Sequence, residues 1–173
     1  MPSESARVTT AEEQRFRIND PNSKPRAVKV IALDRPSERV VERLARASWN
    51  QATFLTASAF ASALRQDPGD KPFSIKGWLH DLAGRTKDLV DEINTADLVV
   101  MIAGAGEDAH AASIIGEVCS LRRVTTTALI MGTASVSDEA LSRTLAQLRP
   151  WALMLVIANT DEYIDDMLTA LRA

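Results

Sequence analysis

The stretch DLVVMIAGAGEDAHAASIIGEVC, Asp97 to Cys119, decides how this chain is read. It opens on an unbroken apolar run, the pattern of a strand buried on both faces. Gly104 and Gly106 then mark a tight turn, and small and apolar residues at helical spacing follow to Cys119. The spacing predicts strand, turn, helix. In many α/β proteins the amides at such a helix start hold phosphate. Here the turn carries Glu107 and Asp108 instead. Two carboxylates there complement the helix dipole themselves, at about 0.3–1 kcal/mol each, and repel an arriving anion.

The same alternation extends in both directions. AVKVIALD from Ala27, ATFLTASAF from Ala52, VTTTALIMG from Val124 and WALMLVIA from Trp151 read as further strands. FSIKGW is a short extra one. Helices are expected over RPSERVVERLARAS with Ser37 at its start, over Leu79–Asn94, over Ala109–Arg122, over Ser137–Leu148 with Ser137 as N-cap, and over the terminal DEYIDDMLTALRA. Strands that alternate with helices and are apolar throughout imply an α/β fold. We expect three layers, doubly wound around a mainly parallel sheet of five or six strands, Rossmann-like. Residues 1–26 are polar and rich in turn formers, and read as an arm or tail with a short helix over Thr10–Arg17. Residues 27–173 read as one domain. Ligands of such sheets sit beyond the carboxyl ends of the strands. The loops that matter therefore begin at Asp34, near Ser58, at Gly104, near Thr133 and at Asn159.

Composition narrows the function classes. The chain has 173 residues, 46% of them hydrophobic and 25% charged, with a net charge of −3. It can bury a core, and it lacks the basic excess of a nucleic-acid binder. A lone cysteine, Cys119, within an apolar helical run reads as a buried thiol. No run approaches a membrane span and the N-terminus lacks a signal-peptide core, so the expectation is a cytoplasmic protein.

Three strings resemble the nucleotide-binding domain of the tubulin/FtsZ family. VKVIALDRPSERVVERL from Val28 resembles its first strand, phosphate loop and helix. ADLVVMIAGAGEDAHAASIIGEVCSLRRVTTTALIMG from Ala96 resembles the signature-loop segment, and LAQLRPWALMLVIANTDEYI from Leu145 the segment ending at a nucleotide-contacting Asn, here Asn159. The resemblance covers about Ala27 to Ala173 and implies an FtsZ N-terminal-domain-like sheet. It also implies phosphate loops that this chain has altered. The signature loop keeps Gly104 and Gly106 but not the glycine run. Asp34, Arg35 and Pro36 stand where the family has glycines, and Pro36 has no N–H to donate. The family's second phosphate loop and its catalytic loop have no counterpart up to Ala173. The resemblance thus implies lost GTP hydrolysis.

The candidate cleft comprises Asp34, Arg35, Gly104, Ala105, Gly106, Glu107, Asp108 and Asn159. No catalytic residue and no metal ligand is assigned. The main reading is a non-catalytic FtsZ-like domain serving as a protein-interaction or assembly module, with a protein partner or a second copy of itself. It inclines against an enzyme, against a cofactor and against nucleic acid. Binding of a small molecule or of GTP or GDP in the cleft is the first alternative, with the nucleotide disfavoured. A metal-dependent enzyme using Asp34, Glu107, Asp108 and His110 is the second. His80 and Ser113 carry no recognisable catalytic pattern, and Trp49, Trp78 and Trp151 read as core or rim aromatics.

Overall fold

The computed structural model describes residues 24–66 and 77–173. Seven strands form one sheet in the order β4-β3-β2-β1-β5-β6-β7. They are β1 (Val28–Ala32), β2 (Ala52–Thr56), β3 (Trp78–Asp81), β4 (Thr86–Asp88), β5 (Leu98–Gly104), β6 (Thr125–Met131) and β7 (Met154–Ala158). The helices are α1 (Arg35–Leu44), α2 (Ser58–Gln66), α3 (Leu89–Asn94), α4 (Ala111–Arg122), α5 (Asp138–Leu148) and α6 (Asp161–Ala170). Strands β2, β1, β5, β6 and β7 pair in parallel, while β3 and β4 run antiparallel at one side.

This is the expected three-layer, doubly wound, Rossmann-like α/β fold. Strand β5 is buried at every position, as its unbroken apolar run requires. One core layer joins Ile31, Val99, Met101 and Ile130 to Phe60 of α2, Ile93 of α3, Ile115 of α4 and Leu148 of α5. The other joins Val30, Val100, Ile102 and Leu129 to Val41 and Leu44 of α1 and Ile164 and Leu168 of α6. The chain leaves β1 toward β2 and leaves β5 toward β6, in opposite directions along the sheet. The topological switch point is therefore the crevice between the carboxyl ends of β1 and β5.

Four expectations need correction. Among the described residues the sheet has seven strands, not five or six. The segment from Leu79 is a β-hairpin, not a helix. Its apolar spacing is genuine, but turn chemistry outweighs it. The Asp81 carboxylate accepts the amides of Ala83 (3.0 Å) and Arg85 (2.9 Å) and pairs with the Arg85 guanidinium (2.7 Å), and Gly84 takes φ +80°. These bonds, the Arg85 amide foremost, lower the Asp81 pKa against the opposing cost of desolvation. Leu82 is left exposed on the turn, and α3 begins only at Leu89, capped by Asp88. The second strand ends at Thr56, and the residues after Ala57 start α2. Finally, α1 starts at Arg35, two residues before Ser37, with Asp34 as its N-cap. The helix expected over Thr10–Arg17 and most of FSIKGW lie outside the described residues.

One polar feature had no sequence signal. Lys29, the second residue of β1, is 8% exposed. Its ammonium pairs with Glu92 of α3 at 2.9 Å and donates to Thr53 of β2 at 3.3 Å. A charge this buried persists only with a partner.

Candidate functional site

Asp34 ends the β1 segment and is 6% exposed. Its Oδ1 accepts the Ser37 amide (2.8 Å) and the Ser37 hydroxyl (2.6 Å), and the Ser37 hydroxyl oxygen accepts the Asp34 amide in return (3.3 Å), which closes a capping box on α1. Its Oδ2 reaches across the switch point and accepts the Gly104 amide at 2.8 Å. One carboxylate thus sits on the first turn of α1 and on the β5 loop together. Those are donors that a phosphate would use at a switch-point crevice. Pro36, in the same turn, has none to offer.

The β5 loop is saturated in the same way. Beyond Gly104, the Ala105 amide goes to the Met131 carbonyl (2.7 Å) and the Glu107 amide to the Gly104 carbonyl (3.1 Å). The Gly106 amide goes to the Thr144 hydroxyl (3.1 Å), the Ala109 amide to Gln147 Oε1 (2.7 Å) and the His110 amide to Asp108 Oδ1 (2.9 Å). Six of the seven amides from Gly104 to His110 are therefore donated within the chain. Gly106 adopts φ +82°, which explains why this turn keeps that glycine. The clamp comes from α5. Thr144, 1% exposed, also donates to the Glu107 carbonyl at 2.9 Å, and Gln147 donates to Asp108 at 3.0 Å.

The two loop acids have different fates. Asp108 is tied to His110 and Gln147 and forms an ion pair with Arg65 of α2 at 2.9 Å. It braces the loop three residues before α4 begins, and His110 at the N-cap makes no side-chain cap bond. Glu107 is exposed and lies over Gly104; a Cβ built on Gly104 would stand 3.1 Å from its Cγ. Among the described residues Glu107 has no ion pair.

Beside this loop is a cleft of about 300 Å³. It is bounded by Pro36 of α1, by Gly104, Ala105 and Glu107 of the β5 loop, and by Met131, Gly132, Ser135 and Val136 after β6. The structure thus brings Gly104, Ala105 and Glu107 together. Asp34 lies beneath them, turned inward. Arg35 is exposed and does not line the cleft. Asn159 is exposed beyond β7, two strands from β5, which is about 10 Å of sheet width. Among the described residues no three His, Cys, Asp or Glu side chains are arranged to hold a metal, so Asp34, Glu107, Asp108 and His110 form no ligand set. Cys119 is buried, and desolvation pushes its thiol up to about 12, far from a nucleophile's range. His80 packs on the Trp78 ring with centroids 4.9 Å apart. Thr144 and Gln147 were not legible as site residues. They sit in an ordinary amphipathic helix, and nothing in their spacing announces the loop they hold.

The sheet's two edges also differ. Strand β4 is three residues, Thr-Lys-Asp. Strand β7 is Met-Leu-Val-Ile-Ala, with Met154 at 42%, Ile157 at 45% and the preceding Leu153 at 82% exposure. Among the described residues no helix is long and apolar enough to cross a membrane.

No family model matches the chain, and no curated protein matches it. Solved structures similar to it include two crystal structures of translation elongation factor SelB from Methanococcus maripaludis. With the form in complex with the GTP analogue GPPNHP, identity is 11% and the TM-score 0.47, over 88% of this chain and 34% of that one. With the apo form the values are 13% and 0.42, over 86% and 37%. The chain spans about a third of the length of those structures. At this identity and TM-score the likeness bears on neither function nor ligand.

Proposed function

We propose that this chain is a non-catalytic, FtsZ-like α/β domain that acts as a protein-interaction or assembly module. The observation that carries the reading is the bonding of Asp34. Its carboxylate occupies the donors of α1 and of Gly104 that an anionic ligand at the switch point would need. An arriving phosphate would have to displace a buried carboxylate and face Glu107. The interaction surface in this reading is the β7 edge, whose outer backbone groups pair with no strand among the described residues and whose exposed Leu153, Met154 and Ile157 suit strand addition.

The test has two arms. The protein is melted with and without GTP, GDP and ATP, each with and without Mg²⁺. A nucleotide at a hundred times its Kd would raise stability by about 2.7 kcal/mol; the expected shift is none, and a clear guanine-nucleotide shift would overturn the reading. Self-association and capture of partners are then followed by sedimentation, with Ile157→Lys as the variant expected to abolish them.

A second reading has its own support. The cleft of about 300 Å³ beside Gly104 is at the lower end of small-molecule site volumes and lies where α/β sheets bind ligands.

A further inference from the structure

The second reading can be taken further, on the assumption that the cleft is a binding site. We infer that the cleft takes a small, largely apolar molecule bearing a positive charge, with Glu107 as its counter-ion. The crevice of a doubly wound sheet ordinarily presents amides and so favours anions. In this chain the preference is reversed by three features. The loop amides are spent on internal acceptors. The ionised side chain lining the cleft is Glu107, and Asp34 lies just beneath, its Oδ1 3.6 Å from a Cβ built on Gly104. No Lys, Arg or His is among the lining residues, and Arg35 in the adjoining turn stays outside.

The remaining walls are Pro36, Ala105, Met131 and Val136, which present hydrocarbon and a thioether. A cation held by one carboxylate, with its apolar body against these side chains, satisfies both halves of the site. A carboxylate or phosphate of the same size meets two negative charges and few available amides. The exposed Glu107 makes the contact a modest one, so the ligand is expected to be weak unless its apolar body fills the cleft.

The experiment is an NMR fragment screen on the whole chain. Amide shifts are followed with three size-matched aromatic probes: phenethylammonium, phenethyl alcohol and 3-phenylpropionate. The expected result is that the ammonium probe perturbs Gly132, Ser135 and Val136 most, and that Glu107→Gln weakens it about tenfold, the loss of one charge-assisted contact. The neutral probe should be unaffected by that substitution. If none of the three perturbs these residues, the cleft is not a binding site and the second reading falls with the proposal. If the carboxylate probe binds there as well as the ammonium probe, or Glu107→Gln changes nothing, the cleft binds but the charge assignment is wrong.

Discussion

The switch-point crevice and the β7 edge are two places where an α/β sheet meets its partners, and this chain treats them oppositely. At the crevice, Asp34, Thr144 and Gln147 accept the Gly104, Gly106 and Ala109 amides, and the Met131 and Gly104 carbonyls and Asp108 take three more. At the edge, five apolar residues pair with β6 on one side, and among the described residues no strand pairs with the other side. The β4 edge shows that the sheet can be protected, since it is short and carries Lys87 and Asp88. An edge without charge or proline is one that tolerates, or requires, a partner. The contrast teaches that the polar groups of the crevice are committed to holding the fold, while the edge is left available for contact.

The sharpest way to break the contrast is Asp34→Ala. It strands the Gly104 and Ser37 amides in a buried setting and removes a helix cap, which together should cost about 3–4 kcal/mol in urea unfolding. A loss below about 1 kcal/mol would show that the crevice is not held by this carboxylate. Next is Glu92→Ala, which leaves the Lys29 ammonium uncompensated; because Glu92 keeps some exposure, about 2–3 kcal/mol is expected. Lys29→Met should cost less than Glu92→Ala, because it leaves no orphan charge, and equal losses would mean that the pair is not desolvated enough to matter. Thr144→Val keeps the shape of the side chain but removes the bonds to Gly106 and Glu107, at about 1–2 kcal/mol, with faster hydrogen exchange at the Gly106 amide as the local readout. Smallest in stability is Ile157→Lys or Leu153→Asp, within about 0.5 kcal/mol by thermal melting. These edge variants should nonetheless abolish any self-association or partner binding seen by sedimentation. Association that survives both substitutions would move the interface away from β7.

Much of the fold was readable because its signals are local. Strand β5 is buried on both faces, so its residues are apolar without a break, and the helices at Ser137 and Asp161 carry acidic first turns at the expected places. The hairpin at Trp78–Asp88 was misread because Leu82, Leu89, Val90 and Ile93 mimic a helical face. Asp81 and Gly84 decide otherwise by bonding and backbone geometry. The crevice was half readable. Acids and a proline where glycines would serve a phosphate were visible from Asp34 to Pro36 and at Glu107 and Asp108.

The sequence alone determined the doubly wound α/β class and the acids and proline carried by the two crevice loops, because periodicity and residue type are properties of neighbours in the chain. Only the tertiary structure decided where the acids point. Asp34 turns inward to Gly104, 70 positions away, Asp108 turns to Arg65 and Gln147, and Glu107 alone faces the cleft. It also decided that Thr144 and Gln147 hold the loop and that β7 is an edge. Each of these depends on which elements become neighbours when the sheet forms, and hydrogen-bond partners far apart in the chain leave no period to read.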